Sequence, residues 1–416
     1  MKSSEFLFKY KESAEQIDTD IMLSNMLDEM QLGLTKAGEG SIPMIPSYLA
    51  PTEEIIYNKR SLLIDAGGTN FRSAVGYFNE KGRVVIEDMV KCKMPASDTT
   101  LTKDEFYNQV AKNISHAINS DNVGFCFSYN VAMQPNIDGT VVCFSKEINA
   151  SEVIGTKVGE CTLSALAKYS DKPRKIAILN DTVATLLGGM ANYFGQYSAF
   201  VGYIYGTGTN ISYIERNENI LKNRGLPNGR MIINTEAGGF DRLPRGLFDE
   251  RVDNASKHPN TQRLEKMTSG KYLSDVIYQA FLQAKEDEEF CADTSIVEFS
   301  LAEVSKFLNG ELSILDNFFV DARDVEFAKD ICVGLIDRAG KIGAVLNSSA
   351  VIRSDKVNSL PVAIVAEGTT FNKLVGYRKS FEKYLSAILS NKGIKYEIIQ
   401  GEDLNMVGTL MATMVL

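Results

Sequence analysis

The spacing of hydrophobic positions changes along the chain and divides it into helical and extended segments. Segments 61–65, 71–78 and 83–93 carry short apolar runs joined by tight turns, which predicts three consecutive β-strands. A second hairpin is predicted where 199–206 and 210–216 flank another glycine turn. The other predicted strands are 123–129, 140–145, 175–181, 361–368 and 396–401.

Between these strands, apolar residues recur at the spacing of an amphipathic helix. Two hairpin-led units, each followed by helices, predict an α/β protein with two related halves and a cleft between them. A length of 416 residues also favours two domains, because single hydrophobic cores stop growing below that size. The predicted helices are 1–37, 102–119, 151–169, 182–194, 262–285, 300–310, 323–346 and 371–390.

Composition narrows the class of protein. The formal net charge is −9, which argues against nucleic acid or an anionic membrane as the main partner. Six scattered cysteines without metal-ligand spacing indicate free thiols in a reducing compartment. The chain also lacks an apolar run of the roughly 18 residues that span a bilayer. We therefore expect a cytoplasmic protein with no membrane partner.

Histidine is scarce, and this affects the expected chemistry. The sequence holds two histidines, His116 and His258, and neither lies in a context that resembles a catalytic triad. We therefore expect a carboxylate as the general base. Asp181 is the candidate because it ends an apolar strand, although an aspartate there could instead cap the helix that follows.

The two glycine turns, "DAGGTN" at 65–70 and "GTGTN" at 206–210, raise the question of a phosphate site. A dinucleotide fingerprint or a P-loop needs a helix directly after the glycines, whereas both of these turns lead into a strand. Glycine turns expose backbone amides to an anion, and two turns could clamp a phosphate chain. The alternative is a pair of hairpins without a ligand. Asp65, on the first turn only, suits one Mg²⁺ held through water.

A set of ordered motifs resembles the eukaryotic-type hexokinases. They are "LLIDAGGTNFR", "FCFSY", "FSKEINA", "ILNDTVATLLGG", "YGTGTNISYIE", "MIINTEAGGF" and "QRLEKMTSGKYL". The resemblance implies the actin-like ATPase (ASKHA) fold, in which two ribonuclease-H-like domains close around sugar and ATP. It places a small domain at 61–178, joined by about 405–416, and a large domain at 1–60 and 179–404.

The resemblance also implies roles for residues at matching motif positions. Asp181, Lys146 and Arg72 would be catalytic, with Asp181 as the base, and Asp65 would hold Mg²⁺ through water. The hexose would contact Ser128, Ser145, Lys146, Asn180, Asp181, Asn210, Glu236 and Glu265. ATP would contact Asp65, Gly67, Gly68, Thr69, Asn70, Arg72, Gly206, Thr207, Gly208, Thr209, Gly368, Thr369 and Thr370.

The chain departs from the family pattern at several places. Ser145 stands where the family usually has threonine, with Phe144 in place of tryptophan before it. Glu367 replaces an aspartate. The segment 402–408 corresponds to the glycine-rich nucleotide loop of the family but retains little of its glycine. The adenosine side therefore departs furthest from the family pattern.

These observations together predict a hexose kinase that uses ATP and Mg²⁺. Glucose is the first candidate substrate, followed by mannose or fructose. Alternatives are a kinase for another sugar, such as an amino sugar, and a catalytically weak sugar sensor. An actin- or chaperone-like ATPase is disfavoured, because the sugar motifs would have no purpose there. Hexose and ATP are the expected partners, and the protein would be a monomer or homodimer.

Overall fold

The computed structural model describes residues 2–52, 54–68, 70–144, 148–291, 295–319 and 321–416. Its larger sheet is mixed and has six strands. In spatial order they are β1 (Ile45–Pro46), β11 (Arg230–Asn234), β10 (Thr209–Arg216), β9 (Ala199–Tyr205), β12 (Val362–Glu367) and β13 (Tyr396–Ile399).

The second mixed sheet has five strands, and a separate two-stranded ribbon lies beside it. The predicted hairpins of both sheets are confirmed, with Asp65 opposite Arg72 in one and Tyr205 opposite Thr209 in the other. The five strands are β4 (Val84–Lys93), β3 (Asn70–Phe78), β2 (Ser61–Gly67), β5 (Asn122–Phe127) and β8 (Ile176–Leu179), and the ribbon joins β6 (Asn130–Met133) to β7 (Gly139–Cys143).

Helices cover both sheets. None of those in the described ranges is both long enough and apolar enough to cross a bilayer. They are α1 (Ser3–Lys9), α2 (Thr19–Thr35), α3 (Lys103–Ile114), α4 (Val158–Leu166), α5 (Asp181–Asn192), α6 (Leu247–Ala255), α7 (Arg263–Thr268), α8 (Leu273–Glu286), α9 (Leu301–Asn309), α10 (Ala322–Arg353), α11 (Thr369–Lys373), α12 (Tyr377–Asn391) and α13 (Leu404–Ala412).

Several helix predictions were wrong in extent. The segment 1–37 holds two helices, and the single helices predicted at 262–285 and 371–390 are each two. The second break contains Gly376, whose φ of 86° a helix cannot accommodate. In the first break, Gly270 packs so closely against Gly206 that a Cβ would lie 2.5 Å from its carbonyl oxygen.

The C-terminal segment also differs from the sequence prediction. Residues 404–408, expected to match a nucleotide loop, form the first part of α13. Glycines let this helix approach its neighbours, since a Cβ on Gly408 would lie 1.8 Å from the Ala184 carbonyl oxygen and one on Gly124 would lie 2.5 Å from that of Thr409. α13 therefore lies between α5 and the five-stranded sheet.

These contacts bear on domain organisation. Besides packing against β5, the C-terminal residues reach β2, where the hydroxyls of Ser61 and Thr413 are 2.8 Å apart. We propose that 61–178 and 405–416 form the small domain, and that 1–60 and 179–404 form the large one. All six cysteines lie in the described ranges and are free thiols.

Candidate active site

The first glycine turn is held by an ion pair across its own hairpin. Asp65, 5% exposed, sits opposite Arg72, whose Nε donates to Asp65 Oδ2 at 3.0 Å. Gly68 takes φ 66°, a conformation that favours glycine, and Asn70 follows as an exposed residue. The turn thus presents backbone and small side chains beside a buried carboxylate. Thr69 lies outside the described residues.

The end of β5 supports this turn. The Ser128 amide donates to the Ala66 carbonyl at 3.2 Å, and the Tyr129 hydroxyl donates to the Gly68 carbonyl at 2.7 Å. Tyr129 was not among the predicted site residues, because an aromatic residue after a strand is usually read as core. Here it fixes the turn and also lines the adjacent cavity.

One oxygen of Asp65 has no hydrogen-bond partner among the described residues. Asp65 Oδ1 is buried and accepts no hydrogen bond from the described residues. Burying an unpaired carboxylate oxygen is costly, so such an atom usually marks a ligand, an ion or an ordered water. This atom is the structural feature that suits a hydrated cation at the turn.

The second glycine turn is held by residues from two other segments. Gly206 donates to the Gly208 carbonyl at 2.9 Å, and its own carbonyl accepts from Gly270 N at 2.8 Å and from Thr370 Oγ1 at 3.1 Å. Lys271 N donates to the Thr207 carbonyl at 3.1 Å. Sequence reasoning missed Gly270 and Lys271, since only the fold brings them to the turn.

The predicted nucleotide residues lie against this same turn. Gly368 has φ 128°, and a Cβ there would lie 2.2 Å from the Tyr205 carbonyl oxygen. Only glycine fits such a position, so the close approach of β12 to the second turn depends on it. Thr369 begins α11 as an exposed residue, and Thr370 binds Gly206. The structure therefore joins two predicted phosphate segments that are far apart in sequence.

Glu265 reaches the second turn from α7. Its Oε2 accepts a hydrogen bond from Thr209 N at 3.2 Å, and a Cβ on Gly208 would lie 2.5 Å from the same oxygen. Gly208 therefore gives the carboxylate room to approach the backbone. Glu265, which the sequence assigns to the sugar, thus also contacts the glycine turn that is assigned to phosphate.

A chain of amides and carboxylates borders the sugar side. Asn210 Nδ2 donates to Asn234 Oδ1 at 2.8 Å, and Asn234 Nδ2 donates to Glu236 Oε1 at 2.8 Å. Asn234 was not predicted; its place in the "MIINTE" motif is the signal that could have indicated it. A cavity beside these side chains is lined by Ile45, Ser47, Tyr129, Val131, Met133, Leu179, Asn180, Val183, Asn234 and Glu236.

The strand-to-helix junction after β8 presents Asn180 and Asp181. Asn180 is the N-cap of α5, and its side-chain oxygen accepts from Thr182 N at 2.9 Å. This leaves its amide nitrogen as the group offered to a ligand. Asp181 is the first helical residue, and its Oδ1 also accepts from Thr182 N, at 2.9 Å. The capping role considered for Asp181 thus belongs mainly to Asn180.

The charge of Asp181 raises the pKa of carboxylates on both sides of the cleft. The pKa of Glu236 is raised to about 7, first by burial and then by the charges of Asp181 and Glu265. The pKa of Glu367 is also raised to about 7, by burial and then by Asp181 and Asp65. Burial and the same two aspartates raise the pKa of the Cys126 thiol. Asp181 follows Asn180, which lines the sugar-side cavity, and lies one helical turn before Thr185, which contacts Glu367.

Glu367 is the main site residue absent from the predicted set. Thr185 Oγ1 lies 3.2 Å from Glu367 Oε2 and 3.1 Å from Asn405 Oδ1, so the three side chains join β12, α5 and α13. The two remaining predicted residues, Ser145 and Lys146, lie outside the described residues. No cluster of three or more His, Cys, Asp or Glu side chains that could hold a metal directly occurs in the described ranges.

The chain is similar to known proteins along most of its length. Two domain profiles described as hexokinase match residues 5–191 and 200–415. Hexokinase-1 of Arabidopsis thaliana is 32% identical over 286 residues, which cover 65% of this chain but only 57% of that protein. The hexokinase-like 1 protein of the same plant is 26% identical over 406 residues, covering 88% of this chain and 81% of that protein.

Among solved structures, the hexokinase from Schistosoma mansoni complexed with glucose superimposes with a TM-score of 0.84 at 22% identity, over 100% of both chains. The fold has two mixed β-sheets covered by helices, and each sheet contributes a glycine turn beside carboxylate side chains. This is the actin-like ATPase fold class. The chain belongs to the hexokinase family.

Proposed function

We propose that this protein transfers the γ-phosphoryl group of ATP to the 6-hydroxyl of a hexose, giving hexose 6-phosphate and ADP. The observation that carries the proposal is the position of Asp181. Its charge raises the pKa of Glu236, which lines the cavity, and that of Glu367, which precedes Gly368 beside the second turn. A base at the boundary between a sugar and a phosphate chain is what the transfer needs.

The step proceeds in line. Asp181 accepts the proton of the 6-hydroxyl as that oxygen bonds to the γ-phosphorus, and the bond from phosphorus to the β,γ-bridging oxygen breaks to release ADP. Backbone amides of the two glycine turns and the guanidinium of Arg72 bind the phosphate oxygens. The protein contributes position and fixed charge in a site that excludes water, the competing acceptor.

Asp65 is the residue proposed to hold Mg²⁺. Its buried Oδ1, which accepts no hydrogen bond from the described part of the chain, fits a water ligand of the ion, and the hard carboxylate oxygen suits this cation. Bound to the phosphate chain, Mg²⁺ would neutralise charge that builds up on the phosphate oxygens.

Glucose is the hexose we propose first, with mannose or fructose next. The S. mansoni structure is a complex with glucose, and the sugar side of this chain offers both donors and acceptors in Asn180, Asn210, Glu236 and Glu265. A site of buried polar groups rejects analogues that lack a hydroxyl, because its own groups would be left unpaired.

The test is ADP release measured by a coupled assay over a panel of hexoses and amino sugars. Hexose-dependent ADP release with a 6-phosphate product supports the proposal. ADP release that does not depend on sugar would contradict it in favour of an ATPase. Faster ADP release with an amino sugar than with any hexose would identify the protein as a kinase for that amino sugar instead.

A catalytically weak sugar sensor is the second candidate, and one observation favours it. Arg72, the cation proposed for the phosphate chain, is already bound by two carboxylates, Asp65 and Asp403. Glucose binding that occurs without ADP release in the same assay would identify the sensor.

Gly67→Ala is predicted to weaken ATP binding without affecting the fold. A Cβ at Gly67 would lie 3.6 Å from Asp65 Oδ1 and 3.7 Å from Ser128 Oγ, so the methyl group fits the protein but occupies the space where a phosphate would approach. We expect the KM for ATP to rise about tenfold, or about 1.4 kcal/mol of binding, with an unchanged melting temperature.

The contrasting variant is Gly270→Ala, whose Cβ would lie 2.3 Å from Thr370 Oγ1 and 2.5 Å from the Gly206 carbonyl oxygen. It should lower the melting temperature as well as the affinity. An unchanged KM for ATP in Gly67→Ala would place the phosphates elsewhere.

The affinity for hexose should rise with pH, and Glu236 is the expected cause. Its pKa in the free protein is about 7, and hexose hydroxyls donate to the ionised carboxylate, so binding improves as Glu236 loses its proton. We expect the KM for hexose to fall severalfold between about pH 6 and pH 8. Glu236→Gln should have a KM that stays near the low-pH value throughout.

Glu367→Gln is the matched control, since the pKa of Glu367 is also about 7 but its side chain borders the phosphate turns. It should preserve the pH dependence of the hexose KM. A Glu236→Gln variant that keeps that dependence would show that another group titrates.

A further inference from the structure

The phosphate side of the cleft carries a surplus of negative charge. Asp65, Glu367 and Asp403 all act on Arg72, whose pKa is lowered by partial burial but raised overall by these three carboxylates. Arg72 Nη1 donates to Asp403 Oδ1 at 3.0 Å, while its Nε donates to Asp65. The guanidinium that would meet a phosphate is therefore shared among protein carboxylates.

The two ion pairs of Arg72 differ in their surroundings. The Asp65 side chain is 7% exposed and lies opposite Arg72 in the β2–β3 register, so this pair is part of the hairpin. The Asp403 side chain is 44% exposed and comes from the residue before α13. Exposed ion pairs contribute little stability, so the Asp403 pair exchanges readily with another anion.

Asp403 is also placed where it would meet an incoming phosphate. It has a left-handed backbone, with φ 46°, and it does not cap α13 through its side chain. Asn405, two residues on, contacts Thr185, which in turn contacts Glu367 beside the second turn. The carboxylate of Asp403 thus contacts Arg72 of the first hairpin, while Asn405 on the same helix is linked through Thr185 to Glu367.

We propose that Asp403 sets the affinity for the phosphate donor, because its carboxylate holds Arg72 in the empty cleft and the phosphate chain must displace it. The inference rests on the proposed function for the identity of the donor as ATP. Guanidinium binds phosphate with two parallel hydrogen bonds, which a released Arg72 can offer. The displaced carboxylate remains nearby and repels the phosphate, which further weakens binding.

The test is direct binding of a non-hydrolysable ATP analogue, with Mg²⁺, to wild type and Asp403→Asn. Asparagine tolerates positive φ, so the backbone is kept while the charge is removed. We expect the dissociation constant to fall by about three- to tenfold in Asp403→Asn. In the kinase assay the KM for ATP should fall by the same factor, with kcat and the KM for hexose changed less than twofold.

Glu80→Gln is the control, because it removes an exposed charge from the turn after β3, at the opposite end of that strand from Arg72. It should bind the analogue as wild type does. Equal or weaker binding by Asp403→Asn overturns the inference, as does an equal gain in both variants. Tighter binding by Asp403→Asn in a protein without hexose-dependent ADP release would refute the kinase proposal and leave this inference standing.

Discussion

Asp181→Asn is expected to lower kcat for hexose phosphorylation by roughly 10²- to 10⁴-fold while hexose binding is largely kept. Asparagine retains an oxygen that can accept the hydrogen bond from Thr182 N, 2.9 Å from Asp181 Oδ1, so α5 should begin as before. The amide cannot take the proton of the 6-hydroxyl. The loss should therefore fall on the chemical step, and the measurement is steady-state kinetics with glucose binding determined separately.

A second readout separates catalysis from structure. The charge of Asp181 raises the pKa of Glu236 and of Glu367, so its removal should lower both. The rise of hexose affinity with pH should accordingly shift to lower pH in Asp181→Asn. Asp171→Asn, an exposed aspartate ahead of β8, is the control for both measurements. A variant that keeps more than a tenth of the wild-type kcat would show that Asp181 is not the base.

The hairpins could be predicted from sequence, whereas some short buried elements could not. β2 and β3 have an apolar run, a glycine turn and a return strand, which specify a hairpin locally. α13 is apolar on nearly every side because it is buried between α5 and a sheet, so its sequence has no helical periodicity. The segment containing α6 is polar. Its buried Asp249 and Asp253 form ion pairs with Arg338 and Lys266, which lie on other helices.

The same distinction applies to the site. Asp181 and the glycine turns lie in continuous motifs, so sequence could indicate them. Gly270 and Asp403 lie in segments that match the family pattern, but they act through contacts with residues far away in the chain, Gly206 and Arg72, so the sequence did not single them out. Glu367 departs from the family pattern, which the sequence shows. The charges that act on it, those of Asp181, Asp65 and Arg72, come from three different elements, which only the structure shows.

A buried ion network ties the N-terminal segment to α6 and α10. Arg338 on α10 is 1% exposed and donates to both oxygens of Asp249 at 2.8 Å, and it also contacts Glu12. Glu12 Oε1 accepts from Phe248 N at 2.7 Å. Burial raises the pKa of Glu12 against the opposing charge of Arg338. The guanidinium of Arg338 therefore forms ion pairs with two buried carboxylates from separate segments.

Arg338→Met is expected to lower the free energy of unfolding by about 3–5 kcal/mol, because it leaves the carboxylate of Asp249 buried without a counter-charge. The measurement is urea unfolding followed by circular dichroism. Arg224→Met is the control, because that side chain is exposed; its loss should cost less than about 1 kcal/mol. Arg338→Lys keeps the charge but loses the paired hydrogen bonds, so its stability should be intermediate and measurable even if Arg338→Met does not fold. Equal stability of the Arg338→Lys and Arg224→Met variants would show that charge alone, without the paired geometry, holds the network.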